Sequence, residues 1–127
     1  MNQPASRLAG KSVLVVEDEY FIADDLRRAL LGAGADVIGP VPSVEAGMEA
    51  LQGGGIDAAV LDINLNGEMS YPVADCLAKR HIPFLLTTGY DEQAIPERFR
   101  SAPRLAKPFT AAIAVQVLED LSVEMPT

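Results

Sequence analysis

Val13-Leu14-Val15-Val16-Glu17-Asp18-Glu19-Tyr20 is the stretch whose reading decides the fold. A run of apolar, mostly β-branched residues reads as a strand covered on both faces. Three acids follow it directly. Behind them begins a helical period with Ile22, Leu26, Ala29, Leu30 and Ala33 on one face. A buried strand that runs into acids and then into a helix is a βα unit with its polar residues at the strand's carboxyl end. The acids themselves admit two readings. They are a solvated helix start favoured by the helix dipole, or they are half of a site.

The same alternation continues outward. Gly32 and Gly34 stop the first helix, and Ala35 to Gly39 reads as a second strand closed by a Pro40-Val41-Pro42 turn. Ser43 caps a helix with Val44, Met48 and Leu51 inward, and Gly53-Gly54-Gly55 stops it. Ala58 to Leu61 is a third strand, apolar throughout. Asp62 to Met69 reads as a polar loop, and a helix starting at Ser70 or Tyr71 turns Val73, Cys76 and Leu77 inward. Pro83 to Thr87 is a fourth strand. Pro96 and Pro103 leave room only for a short or irregular fourth helix between Asp91 and Ala102. Arg104 to Ala106 is a short fifth strand. Thr110 caps a last helix with Ile113, Val117, Leu118 and Leu121 inward. The expectation is a doubly wound α/β domain, (βα)5, with a five-stranded parallel sheet and helices on both faces.

Composition narrows the function classes. The length of 127 residues suits one domain, expected over residues 11–122 with tails at 1–10 and 123–127. A net charge of −8 argues against a nucleic-acid partner, which needs clustered Lys and Arg. No run of apolar residues is long enough to cross a membrane. The first residues, Met1 to Arg7, lack the apolar core of a secretion signal. Cys76 is the single cysteine, so no internal disulfide forms, and a cytoplasmic location is the expectation.

In open α/β sheets the ligand site lies beyond the carboxyl ends of the strands. Strand 1 delivers Glu17 and Asp18 there, strand 3 delivers Asp62 with Asn64 behind it, strand 4 delivers Thr87, Thr88 and Gly89, and strand 5 delivers Lys107 and Pro108. Crowded carboxylates repel one another unless a cation sits among them. An oxygen-only donor set suits Mg²⁺. A carboxylate beside such an ion can act as a nucleophile and form an aspartyl phosphate, and a lysine nearby can neutralise a phosphoryl oxygen.

With these residues in this order, the chain resembles the receiver domain of bacterial two-component response regulators, over roughly Lys11 to Leu121. The stretches VLVVEDEY, AAVLDINLNGE, PFLLTTGY and LAKPF carry the likeness. It implies a flavodoxin-like strand order of 2-1-3-4-5. It implies Asp62 as phosphoacceptor, Asp18 as direct Mg²⁺ ligand, Glu17 as ligand through a water, and the backbone carbonyl of Asn64 as a further ligand. Thr88 and the Gly89 backbone would contact the phosphoryl group, Lys107 would hold one of its oxygens, and Lys107-Pro108 would be a cis peptide. The donor would be a histidine kinase or histidine phosphotransfer protein. The output would be contact with a downstream protein, or onward relay of phosphate, by a stand-alone monomer or weak dimer. Enzymatic activity would be limited to slow gain and loss of its own phosphoryl group. PFLLTTGY also resembles the PFxFATGY-type motif of a subgroup of alphaproteobacterial single-domain receivers, with Leu86 and Thr87 in place of Phe and Ala.

The chain departs from the family at strand 5, where Arg104 stands in place of the usual aromatic three residues before the lysine. Arg104, Tyr90 and Phe99 are therefore candidate output residues, with packing as the alternative for the two aromatics. Thr87 reads as a plain strand residue, Glu19 as a solvated helix start, and Cys76 as small core filler. The main competing function is a phosphorylation-independent pseudo-receiver that binds a partner through the same fold. An FMN carrier fits poorly because Glu17-Asp18-Glu19 would repel a phosphate. A haloacid-dehalogenase-like phosphatase would want an acid where Asn64 stands.

Overall fold

The computed structural model describes residues 6–89 and 95–124, with side chains described to Ser122. The chain alternates strands and helices as its periodicity predicts. Strand β1 (Ser12–Val16) leads into helix α1 (Tyr20–Gly32), β2 (Asp36–Val41) into α2 (Val44–Gln52), and β3 (Ala58–Asp62) into a two-stranded hairpin, β4 (Asn64–Leu65) and β5 (Glu68–Met69). Helix α3 (Tyr71–Lys79), β6 (Phe84–Thr88), a 3-10 turn (Glu97–Phe99), β7 (Arg104–Ala106) and α4 (Ala111–Glu124) complete it. The main sheet is parallel throughout, in the order β2-β1-β3-β6-β7. With the hairpin set aside, this is the flavodoxin-like order 2-1-3-4-5.

Alternation along the strands sends side chains into two separate cores. Leu14, Val16, Ala59, Leu61 and Leu86 face α2 and α3 together with Val73, Leu77 and Phe99. Val13, Val15, Ala58, Val60 and Leu85 face α1 and α4 and pack on Leu26, Leu30, Ala114 and Leu118. Ser43 caps α2 by accepting the Ala46 N–H at 3.1 Å. Among the described residues the region between β6 and β7 holds only the 3-10 turn, the short, irregular element that Pro96 and Pro103 dictate.

Five local expectations are corrected. Strand β2 runs through Pro40 to Val41 rather than turning at Pro40, because it is an edge strand and a bulge absorbs the proline. Leu14 pairs with Ile38 and Val16 with Val41, which leaves an extra residue on β2. The segment after Asp62 is a hairpin, not a plain loop. Asn66 and Gly67 both have positive φ, 54° and 92°, as a two-residue hairpin turn requires. Residues 6–10 are no loose tail. Leu8 is fully buried in the second core and the Ser6 hydroxyl donates to the Glu119 carboxylate. On α4, Ile113 is 50% exposed while Ala114 and Leu118 face the sheet, because the small alanine allows a close approach. Phe99 is 3% exposed; it stacks on Tyr71 at 5.6 Å and meets Phe84 edge-on at 6.4 Å. Packing holds it in the core, which removes it from the candidate partner surface.

Gly39 carries the bulge. Its φ is +95°, and a Cβ there would lie 2.7 Å from the Val41 nitrogen and 2.9 Å from the Val15 carbonyl oxygen. Backbone atoms on both sides cannot yield. Gly39→Ala is expected to destabilise the fold by about 2 kcal/mol or more, seen as a lower urea midpoint with an unchanged slope; an unchanged midpoint would contradict this account of the bulge.

Candidate acidic phosphoacceptor site

The carboxyl edge of the sheet gathers the residues that the sequence placed there. Val16 pairs with Leu61 and Asp62 with Thr87, so Glu17, Asp62 and Thr87 form a row across neighbouring strands, all on the α1 and α4 side by alternation. Asp18 stands just beyond Glu17. One carboxylate oxygen from each of Glu17, Asp18 and Asp62 lies within 4.8 Å of the others. Glu17 and Asp62 are buried and Asp18 is half-buried.

Lys107 answers this charge. Its ammonium donates to Asp62 Oδ2 at 2.8 Å and to Glu17 Oε2 at 3.3 Å. It lies 3.1 Å from Glu17 Oε1 and 3.6 Å from Glu19 Oε1. The 3.1 Å approach is a charge contact only, since Glu17 Oε1 accepts no hydrogen bond among the described residues. Lys107 and Pro108 are joined by a cis peptide. Burial would lower the Lys107 pKa, but hydrogen bonding and charge from Asp62, then from Glu17, outweigh it and hold the ammonium well above its ordinary value.

Backbone and hydroxyl donors fix the acids. Asp62 Oδ1 accepts the Asn64 N–H at 3.2 Å, and Glu17 Oε2 accepts the Glu19 N–H at 3.0 Å. Buried Ser70, ahead of α3, donates to the Asp62 carbonyl at 2.6 Å and thereby holds the end of β3. Sequence reading passed over Ser70 as a helix start; only the hairpin's return brings it under Asp62. Glu19 is the N-cap residue of α1, exposed as a solvated helix start, and caps nothing with its side chain; its carboxylate also lies 3.6 Å from the Lys107 ammonium.

Thr88 is half-buried at the end of β6, and its carbonyl accepts the Lys107 N–H at 2.7 Å. Gly89 follows it. Thr87 is 1% exposed and its hydroxyl has no partner among the described residues. Arg104 opens β7 opposite Leu86 and is exposed. Tyr90 lies outside the described residues. A cavity of about 420 Å³ opens beside Asp18, walled by Tyr20, Arg27, Pro40 and Pro42.

The donor set fits a hard divalent cation such as Mg²⁺. It is all oxygen and gathers three carboxylates within reach of one ion, the kind of donor set such a cation takes. Without a cation, burial pushes the Glu17 carboxyl up to about 7; the Glu19 N–H pulls it down, the Asp62 charge raises it further, and Lys107 offsets part of the rise. Folded Glu17 therefore binds more protons than the unfolded chain between its ordinary value of 4.5 and about 7. Its contribution to stability falls as pH rises through that window. In EDTA, the wild type is expected to gain stability relative to Glu17→Gln on going from pH 7.5 to pH 5.5. Parallel urea midpoints for the two proteins at both pH values would contradict it.

No family model matches the chain. It is similar in structure to SdrG from Sphingomonas melonis Fr1, at 41% identity over 90% of this chain and 97% of that one, with a TM-score of 0.76. It is also similar to the BeF3-activated conformation of SdrG, at 40% identity, 89% and 98% coverage and a TM-score of 0.71. The sensory transduction protein LytT of Bacillus cereus is 31% identical over 111 residues, which are 84% of this chain and 45% of LytT. The chain spans about half the length of the curated relatives it matches. The REC domain of the response regulator PhyR from Erythrobacter litoralis shares the fold, with a TM-score of 0.79 at 22% identity over 94% and 96% of the two chains.

Proposed function

The chain belongs to the response-regulator receiver family, and from that membership we propose that Asp62 accepts a phosphoryl group from a phosphohistidine on a partner kinase or phosphotransfer protein. The observation that carries the proposal is the setting of Asp62. It is buried at the centre of the sheet edge, with Lys107 at 2.8 Å and two further acids within cation-sharing distance. In the transfer, an Asp62 carboxylate oxygen forms a bond to phosphorus as the phosphorus–nitrogen bond breaks, and the imidazole leaves with the bonding pair. Such transfer is mostly positioning and neutralisation of charge.

Glu17, Asp18, Asp62 and the Asn64 carbonyl would hold Mg²⁺, whose chemistry when bound is to neutralise the phosphoryl oxygens. Lys107 would carry its charge to one of those oxygens, and Thr88 and the Gly89 backbone would donate to others. The activated form of SdrG, 40% identical, supports this reading, because trifluoroberyllate has the shape and charge of a bound phosphoryl group. The new charge of about −1.5 to −2 would bias the neighbouring surface, where exposed Arg104 would act in place of an aromatic. Signalling would run by protein contact or by phosphate relay, in the cytoplasm, with no catalytic turnover beyond the protein's own phosphorylation and dephosphorylation.

Arg104 also keeps a second reading in play, a pseudo-receiver in which Lys107 permanently seals Asp62. Intact-mass measurement after acetyl phosphate and Mg²⁺ separates the two. Gain of one phosphoryl group supports the phosphoacceptor; an unmodified mass, where a control receiver is modified, leaves the pseudo-receiver.

A further inference from the structure

Buried polar groups are nearly always hydrogen-bonded, so one without a partner calls for a reason. Thr87 is 1% exposed, and its hydroxyl is such a group, with no hydrogen-bond partner among the described residues. Its location is specific. Thr87 is the register partner of Asp62 on one side and of Leu105 on the other. Its own carbonyl accepts the N–H of Ile63, next to Asp62. Lys107 follows β7 and reaches Asp62 on β3 and Glu17 just past β1, and β6 lies between β7 and β3. The lysine side chain therefore passes over the end of β6, on the face that carries Thr87.

An ammonium has three protons to give. Here its neighbours are carboxylate oxygens of Glu17, Asp62 and Glu19. A divalent cation among Glu17, Asp18 and Asp62 would compete for the Glu17 and Asp62 oxygens, phosphorylation would cover one of Asp62's, and of the present neighbours only Glu19, at 3.6 Å, would be left untouched. Lys107 would then need new acceptors while staying in place. A phosphoryl oxygen supplies one. We propose that Thr87 is a positioning residue for Lys107, its hydroxyl accepting a hydrogen bond from the ammonium when a divalent cation and a phosphoryl group occupy the acids. The hydroxyl left unmet among the described residues is the counterpart of a bond made once the cation and the phosphoryl group are bound. This rests on the phosphoacceptor reading above.

Thr87→Val keeps the shape and removes the hydroxyl; Thr87→Ser keeps the hydroxyl. The test is thermal unfolding of wild type and both variants, in EDTA and in Mg²⁺ with trifluoroberyllate, together with titration of trifluoroberyllate. In EDTA, Thr87→Val should melt at or above the wild-type temperature, because it loses an unsatisfied polar group. With the ligands its stabilisation should shrink, and its affinity for trifluoroberyllate should fall by about ten-fold, the loss of one hydrogen bond to a charged group. Thr87→Ser should restore both. An equal ligand-induced shift in Thr87→Val and wild type would overturn the proposal, as would an equal loss of stability in both conditions, the mark of a packing role. Should Thr87→Val not fold, Thr87→Ala against Thr87→Ser makes the same comparison. A wild type unmoved by Mg²⁺ and trifluoroberyllate would sink the phosphoacceptor reading and this inference with it; a responsive wild type beside an equally responsive Thr87→Val would sink this inference alone.

Discussion

Asp62→Asn is expected to abolish phosphoryl uptake outright. After acetyl phosphate and Mg²⁺, the wild type gains one phosphoryl group and the variant keeps its mass. The substitution conserves size, and its amide oxygen can accept one of the two donors, the Lys107 ammonium at Oδ2 or the Asn64 N–H at Oδ1, while the two buried cores that hold the fold are untouched. What is lost is the anionic oxygen that attacks phosphorus. The remaining acids cannot substitute for it. Glu17 is buried with one oxygen taken by the Glu19 N–H, and Asp18 stands on the neighbouring strand's exit rather than beside Lys107's 2.8 Å contact. Retained labelling in the variant would move the acceptor elsewhere.

Lys107→Ala is expected to destabilise the unphosphorylated protein in a way that depends on Mg²⁺. Its side chain is only 14% exposed, and its ammonium bridges Asp62 and Glu17. Removing one partner of a buried pair leaves an uncompensated charge at a cost of about 3–5 kcal/mol. This site opens to solvent on one side, and Glu17 can take up a proton, so about 2 kcal/mol is the expected loss in EDTA. Mg²⁺ should restore much of it, because the cation replaces the missing positive charge. The variant's unfolding temperature should therefore depend on Mg²⁺ more steeply than the wild type's. A loss that Mg²⁺ leaves untouched would mean that Lys107 serves packing rather than charge balance.

The architecture was legible because βα alternation and uninterrupted apolar strands leave few arrangements, and because Glu17, Asp18, Asp62 and Lys107 all fall where strands end. The sequence obscured features that depend on partners distant along the chain. Asn66-Gly67 is a hairpin signal, but its strands are two residues each and show no alternation to read. Leu8 looks like tail until it is seen buried in one cluster with Leu30 and Ala35. Helix α4 has apolar residues on several sides, so Ile113 and Ala114 compete for the inward position, and only the closeness of the sheet decides for alanine. A threonine hydroxyl left without a partner cannot be read from sequence at all, since it is a property of surroundings.

The shortness of β7 has a mechanical consequence. It is a three-residue edge strand, Arg104 and Ala106 are exposed, and Leu105 is its single inward side chain. Its hold on the sheet is correspondingly weak, as expected of an element with few buried contacts. The pair that Lys107 makes with Asp62 and Glu17, spanning 45 and 90 positions, therefore works as a tether from the margin of the sheet to its middle. Whatever changes the charge at Asp62 changes the tension on that tether, and amide exchange along β7 and the start of α4 is where the slackening or tightening would register first.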